Sequence, residues 1–126
     1  QEVAAYYYDH ISNPLITLPK RLDDKNNVYY LFPILVQDNR ALCIDNRQSN
    51  RDRLHDYLAA NGAGTVIHYP IPPHMQECYA KDAWNMPKLV LPITEQIHNE
   101  ELSLPIGPTI TMDEVAYVVK LINEFK

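Results

Sequence analysis

Two imidazoles, two phenols and an amide crowd one short stretch of this chain: His68-Tyr69-Pro70-Ile71-Pro72-Pro73-His74, followed by Gln76 and Tyr79. These groups donate and accept hydrogen bonds, and a phenol also offers a flat face to a ring. Proline fixes φ and has no N–H, so Pro70, Pro72 and Pro73 keep this backbone out of sheets and helix interiors. A stiff, irregular backbone bearing polar side chains suits the presentation of those groups to a ligand. The competing reading is a proline-rich connector whose rings pack on the core.

Metal binding is the weakest of the possible chemistries. His68 and His74 are six apart, which matches neither a helical i, i+4 pair nor a zinc-finger spacing, and no acid or thiol stands near enough in sequence to complete a set. Nucleophilic catalysis is little better placed. His74 precedes Cys78 by four, so on a helix the two would share a face, yet nothing supplies an orienting group or an oxyanion hole. The expectation for Cys78 is a buried structural thiol. His10, His55 and His98 lie on expected helices among charged neighbours and read as solvated surface residues. Substrate binding fits His68, Tyr69 and His74 better, because imidazole and phenol pair well with sugar hydroxyls or phosphate oxygens. From the residues alone the segment is a rigid polar lip suited to a polyhydroxylated ligand.

The elements that must position this lip follow from periodicity and punctuation. Val3, Tyr7 and Ile11, with Ala4 and Tyr8, sit at helical spacing over 1–11, and Pro14 and Pro19 then impose an extended connector. Val28 to Val36 (VYYLFPILV) reads as a strand, with Pro33 arguing for an edge position or a bulge. An apolar Ala41–Ile44 core in the polar stretch 37–48 is a possible extension of the sheet. A helix over 50–60 is announced by Ser49 and Asp52 at its start, by Leu54, Tyr57 and Leu58 on one stripe, and by Asn61-Gly62 at its end. Thr65 to Ile67 is a short strand leading into the lip, and His74 to Lys81 a short helix started by Pro72-Pro73 with Met75 and Tyr79 on one face.

Leu91-Pro92 opens another helix carrying Ile93 and Ile97, and Leu102-Ser103-Leu104 is a strand closed by Pro105 and Gly107-Pro108. The last helix is the most strongly marked. Thr111-Met112-Asp113-Glu114 forms a capping box ahead of Val115, Val118, Val119, Ile122 and Phe125 on one face. A few short strands among helices, without a βαβ repeat, predict an α+β domain: a small, mainly antiparallel sheet with helices packed on one face and the outer face free to meet another domain.

The bulk numbers agree with one globular unit. The chain has 126 residues, 46% hydrophobic and 21% charged, with ten prolines against three glycines, so its connections are stiff. A net charge of −5 without a cluster of basic residues argues against nucleic-acid binding. No apolar run approaches the ~20 residues that cross a bilayer. Cys43 and Cys78 form no metal or disulfide pattern, so free thiols in a cytoplasmic protein are expected. Gln1 opens directly on a helical pattern, which suggests a piece separated from a longer chain.

At these residues the chain closely resembles the C-terminal small domain of PLP-dependent sugar-nucleotide aminotransferases of fold type I, the DegT/DnrJ/EryC1/StrS family. The resemblance runs through 1–11, Val28–Ile34, Asn50-Arg51-Asp52-Arg53-Leu54, Gly64-Thr65-Val66-Ile67-His68-Tyr69-Pro70, Pro73-His74-x-Gln76, Leu91-Pro92-Ile93-Thr94-Glu95, Leu102-Ser103-Leu104-Pro105 and Met112-Asp113-Glu114-Val115. It implies a parent enzyme, homodimeric and cytoplasmic, that transfers an amino group from glutamate to a keto group of a nucleotide-linked deoxysugar. The stretch Ile67-His68-Tyr69-Pro70-Ile71-Pro72-Pro73-His74 is most similar to members that aminate a dTDP-3-keto-6-deoxyhexose.

By the same resemblance, His68 and Tyr69 contact the hexose, while His74 and Gln76 shape the pocket wall. Relatives often carry histidines where this chain has Asn27 and Tyr30, and Pro33 replaces a typical strand residue, so polar contacts from that strand are not carried over. The family keeps its Schiff-base lysine in a large N-terminal domain, and none of Lys20, Lys25, Lys81, Lys88, Lys120 or Lys126 stands in that context. Residues 1–126 are therefore expected to be the small domain alone, without catalytic residues or a metal, binding no PLP and catalysing no transamination by themselves. Alternatives from other classes are a self-standing nucleotide-sugar-binding module and a purely structural assembly domain.

Overall fold

Alternation of apolar residues builds the sheet. In the computed structural model, which describes residues 1–22, 26–38, 48–80 and 89–126, β2 (Phe32–Val36) buries Phe32, Ile34 and Val36 and turns Pro33 outward. This is the period-2 pattern of a strand with one covered face. Its antiparallel neighbour β3 (Glu101–Leu104) sets Leu104 opposite Phe32 and Leu102 opposite Ile34, so the four side chains share a face. A two-residue β1 (Ile16–Thr17) pairs antiparallel on the far side of β2, giving the order β1-β2-β3.

Three helices close that face. Ala4 and Tyr7 from α1 (Glu2–His10), Leu54 and Leu58 from α2 (Asn50–Ala60), and Val115, Val118, Val119 and Ile122 from α5 (Met112–Glu124) join the sheet residues in one core. The Tyr7 phenol stays in this core because its hydroxyl donates to the Pro105 carbonyl at 2.6 Å, and burial pushes its pKa up. Buried Asn13 ties the chain after α1 to the end of α5, its amide donating to the Ile122 and Phe125 carbonyls.

The helix ends follow the chemistry expected of them. Ser49 Oγ accepts from the Asp52 N–H at 3.0 Å at the start of α2, and Gly62 adopts φ 79° just past its end. At α5, Thr111 Oγ1 accepts from the Glu114 N–H while the Glu114 carboxylate accepts from the Thr111 N–H at 2.7 Å. The Thr111 backbone N–H, then its hydroxyl, holds the Glu114 carboxyl below the usual glutamate range.

Four expectations change. The strand expected from Val28 begins only at Phe32, because Asn27 Oδ1 accepts from the Tyr29 N–H at 3.0 Å and Tyr29 takes φ 47°, a local turn that breaks extension. Pro33 lies in the middle strand of the sheet rather than on an edge or a bulge. It is tolerated there because Ser103, its partner, directs its own N–H and carbonyl to Val66, so Pro33 presents its nitrogen to the β1 side, beyond the end of β1 at Thr17. The strand expected over 65–67 is a single antiparallel bridge, Val66 with Ser103. The helix expected over 74–81 divides into a 3₁₀ turn, Pro73–Met75, and a one-turn α3, Glu77–Ala80, with Met75 and Tyr79 both exposed. A further helix, α4 (Pro92–Glu100), runs straight into β3. The expectations for Ala41–Ile44, Cys43, Lys25, Lys81 and Lys88 lie outside the described residues.

Candidate functional site

The outer face of the sheet carries the site. Alternation puts Glu101 and Ser103 on the opposite side of β3 from Leu102 and Leu104. The Val66–Ser103 bridge then sets the next segment alongside β3: Ile67 packs toward the core and His68 comes beside Glu101 and Ser103. Both strand residues are buried, at 5% and 4% exposure, so their polar atoms need partners from the protein.

They find them in His68. The His68 N–H donates to Glu101 Oε2 at 2.6 Å, the Ser103 hydroxyl donates to Glu101 Oε1 at 2.6 Å, and His68 Nδ1 lies 3.0 Å from Ser103 Oγ. Among the described residues no lysine or arginine forms an ion pair with Glu101. Hydrogen bonds to the described residues compensate its burial.

Tyr69 stands edge-on to the His68 ring, with centroids 5.5 Å apart, and is 66% exposed. The peptide bond between the two residues is cis. The Tyr69 carbonyl accepts from His98 Nδ1 on α4. Behind it, buried Arg51 on α2 donates to the His98 carbonyl at 3.0 Å and reaches the Glu101 carbonyl at 3.5 Å, a cation placed at the C-terminal end of α4. So α2, α4 and β3 jointly hold the backbone that displays the two rings.

The rest of the lip is divided. His74 turns inward, its side chain 7% exposed, and its Nε2 meets Glu95 Oε1 of α4 at 3.0 Å. That carboxylate also accepts from the Leu91 N–H at 2.9 Å, while His74 Nδ1 is buried without a partner among the described residues. Gln76 is exposed, and its backbone N–H closes the 3₁₀ turn by donating to the Pro73 carbonyl. The structure thus brings His68 and Tyr69 together at the surface and sets His74 and Gln76 apart from them, the first as an inward brace.

Two expectations about neighbouring residues are corrected. Cys78 is exposed rather than buried, since the one-turn α3 carries it on the surface, and the His74 ring is engaged by Glu95 instead. His98 and His55 are not merely solvated, because His98 fixes Tyr69 and His55 Nδ1 lies 2.7 Å from Thr65 Oγ1. The residues that sequence reasoning passed over are Glu101, Ser103 and Arg51. A signal existed for two of them, since Glu101-Leu102-Ser103-Leu104 alternates strictly and so places its polar pair on one face. An open depression of about 380 Å³ lined by Arg53, Tyr57, Phe125 and Lys126, among others, shares no residue with this site.

Comparisons with known proteins bear on this geometry. The family model described as the DegT/DnrJ/EryC1/StrS aminotransferase family matches residues 1–123. The chain is similar, at 42% identity over 99% of its length, to the dTDP-3-amino-3,6-dideoxy-alpha-D-galactopyranose transaminase of Aneurinibacillus thermoaerophilus, of which it covers 30%. The chain thus spans about three-tenths of the length of the curated relatives it matches. Among solved structures it resembles DesV of S. venezuelae in complex with a ketimine intermediate, with a TM-score of 0.77 and 31% identity over 98% of this chain and 30% of that one. It also resembles NtdA of Bacillus subtilis with bound cofactor PMP, with a TM-score of 0.64 and 28% identity over 94% of this chain and 27% of that one.

Proposed function

The chain belongs to the DegT/DnrJ/EryC1/StrS aminotransferase family, and on that premise we propose that it is the C-terminal small domain of a sugar-nucleotide transaminase. The parent enzyme moves an amino group from glutamate to the keto carbon of a dTDP-3-keto-6-deoxyhexose, working as a homodimer in the cytoplasm. The observation that carries this reading is the 42% identity to a dTDP-3-amino-sugar transaminase along 99% of the chain, which includes the proline-braced His68-Tyr69 pair. The large apolar residues left on the surface fit a domain that seats against another. Val28 is 79% exposed and Tyr30 86%, with Val66, Ile71 and Ile93 also open.

In this reading His68 and Tyr69 form one wall of the sugar cleft. Tyr69 offers its ring face and hydroxyl to the hexose, and His68 offers a nitrogen. His74 and Gln76 shape the wall without touching substrate, His74 by pinning the lip to α4 through Glu95.

PLP, the family's cofactor, supplies the amine-carrying and electron-sink chemistry when bound. The described residues do not fit it. A Schiff-base amine must be activated by a desolvated or cationic setting, whereas Lys20, Lys120 and Lys126 are all exposed. The cofactor is therefore assigned to the remainder of the parent enzyme, and no catalytic step to the described residues.

The test is a panel of nucleotide-linked keto-sugars run with the full-length enzyme, PLP and glutamate. Preference for the 3-keto isomer on dTDP is the expected result, and preference for the 4-keto isomer overturns the substrate assignment. Incubated with PLP, the 126-residue chain alone should develop no Schiff-base absorbance band.

A further inference from the structure

We propose that Glu101 and Ser103 are positioning residues that set the tautomer of His68, and so decide which kind of ligand atom it reads. Hydrogen-bond polarity fixes the proton's place. A carboxylate accepts and cannot donate, and both Glu101 oxygens are engaged, Oε2 by the His68 N–H and Oε1 by the Ser103 hydroxyl. A serine hydroxyl has one proton. Having given it to Glu101, Ser103 Oγ meets His68 Nδ1, 3.0 Å away, with a lone pair only. His68 Nδ1 must then carry a hydrogen, and in the neutral ring Nε2 is left as a bare acceptor.

Nothing among the described residues bonds to that second nitrogen, and His68 itself is only half-buried. The consequence concerns the substrate. A bare Nε2 accepts from a hydroxyl, and has nothing to offer a keto oxygen or a phosphate oxygen, which also only accept. His68 therefore reads a sugar hydroxyl, not the carbonyl and not the nucleotide's phosphates. This second step rests on the sugar-facing role proposed above, while the tautomer itself does not.

The two can be tested apart, because one substitution reverses the polarity without changing the shape. In Glu101→Gln the His68 N–H still requires an acceptor, so the amide oxygen must face it and the NH₂ must face Ser103. Ser103 then accepts from the amide and donates its own proton to His68 Nδ1, which forces the hydrogen onto Nε2. The full-length enzyme is labelled with ¹⁵N-histidine, and the His68 signals are identified by their loss in His68→Gln. Ring-nitrogen NMR should place the proton on Nδ1 in the native protein and on Nε2 in Glu101→Gln, with a mixture in Ser103→Ala.

A native proton on Nε2, or an unchanged tautomer in Glu101→Gln, overturns the positioning role. In the same Glu101→Gln protein the KM for the nucleotide sugar should rise about tenfold with kcat within about twofold. Reversal of the tautomer with an unchanged KM upholds the relay and overturns the sugar-facing role of His68.

Discussion

The two faces of one short strand solve the same problem by opposite means. On one side of β3, Leu102 and Leu104 meet Phe32 and Ile34 and vanish under α1, α2 and α5, held by burial alone. On the other side, Glu101 and Ser103 are buried as thoroughly, but held by hydrogen bonds, one Glu101 oxygen accepting from the His68 N–H and the other from the Ser103 hydroxyl. The apolar face is non-directional and forgiving of rotation. The polar face works only in one arrangement of donors and acceptors, and that directionality is what lets it orient a ring. The core side supplies stability and the outer side supplies geometry.

The comparison breaks most visibly on the apolar face. Phe32→Ala should lower the stability of the chain by about 3–5 kcal/mol, the transfer of the ring plus the cavity left behind. The midpoint of urea denaturation measures this, and a loss below about 2 kcal/mol would mean the face collapses around the gap instead of keeping a cavity.

On the polar face, Glu101→Leu keeps most of the volume but strands the His68 N–H, while the freed Ser103 hydroxyl can turn to His68 Nδ1. At about 1–3 kcal/mol for an unsatisfied buried group, a loss of about 1–3 kcal/mol is expected, against less than about 1 kcal/mol for Glu101→Gln, which keeps a partner for each group. Equal losses in the two variants would show that shape rather than polarity holds this face.

The capping box of α5 sharpens the contrast from outside both faces, since it is polar, local and exposed. Thr111→Ala should cost about 1 kcal/mol. Because the Glu114 carboxyl is held below its ordinary value of 4.5, its contribution is present above that pH and fades as pH falls through the lowered value. Stability followed downward from pH 5 should therefore fall less steeply in Glu114→Gln than in the native chain, and identical slopes would remove the cap's role in acid sensitivity.

How much could be read without coordinates depends on how far apart the partners lie. The start of α5 was legible because Thr111 and Glu114 complete each other within one turn. Ser49 and Gly62 delimit α2 for the same reason. Pro33 shows where such reading stops. Its missing N–H argued for an edge, but its compatibility with a middle strand rests on where β1 ends, which Pro33 itself does not encode. Arg51 sits at an ordinary helical position, and only the arrival of the α4 C-terminus gives its guanidinium two carbonyls to bind.

By itself the amino-acid sequence determined α1, α2, α4 and α5, the caps of α2 and α5, the alternation within β2 and the stiff lip on which His68 and Tyr69 stand, since these arise from interactions between residues within a turn or two of each other. It also carried the family, through the order and spacing of its short motifs. What only the tertiary structure decided is the state of the histidine. The Glu101 and Ser103 atoms that fix His68 lie 33 and 35 residues further along the chain. Hydrogen-bond polarity is set by atoms within 3 Å in space, whatever their separation in sequence.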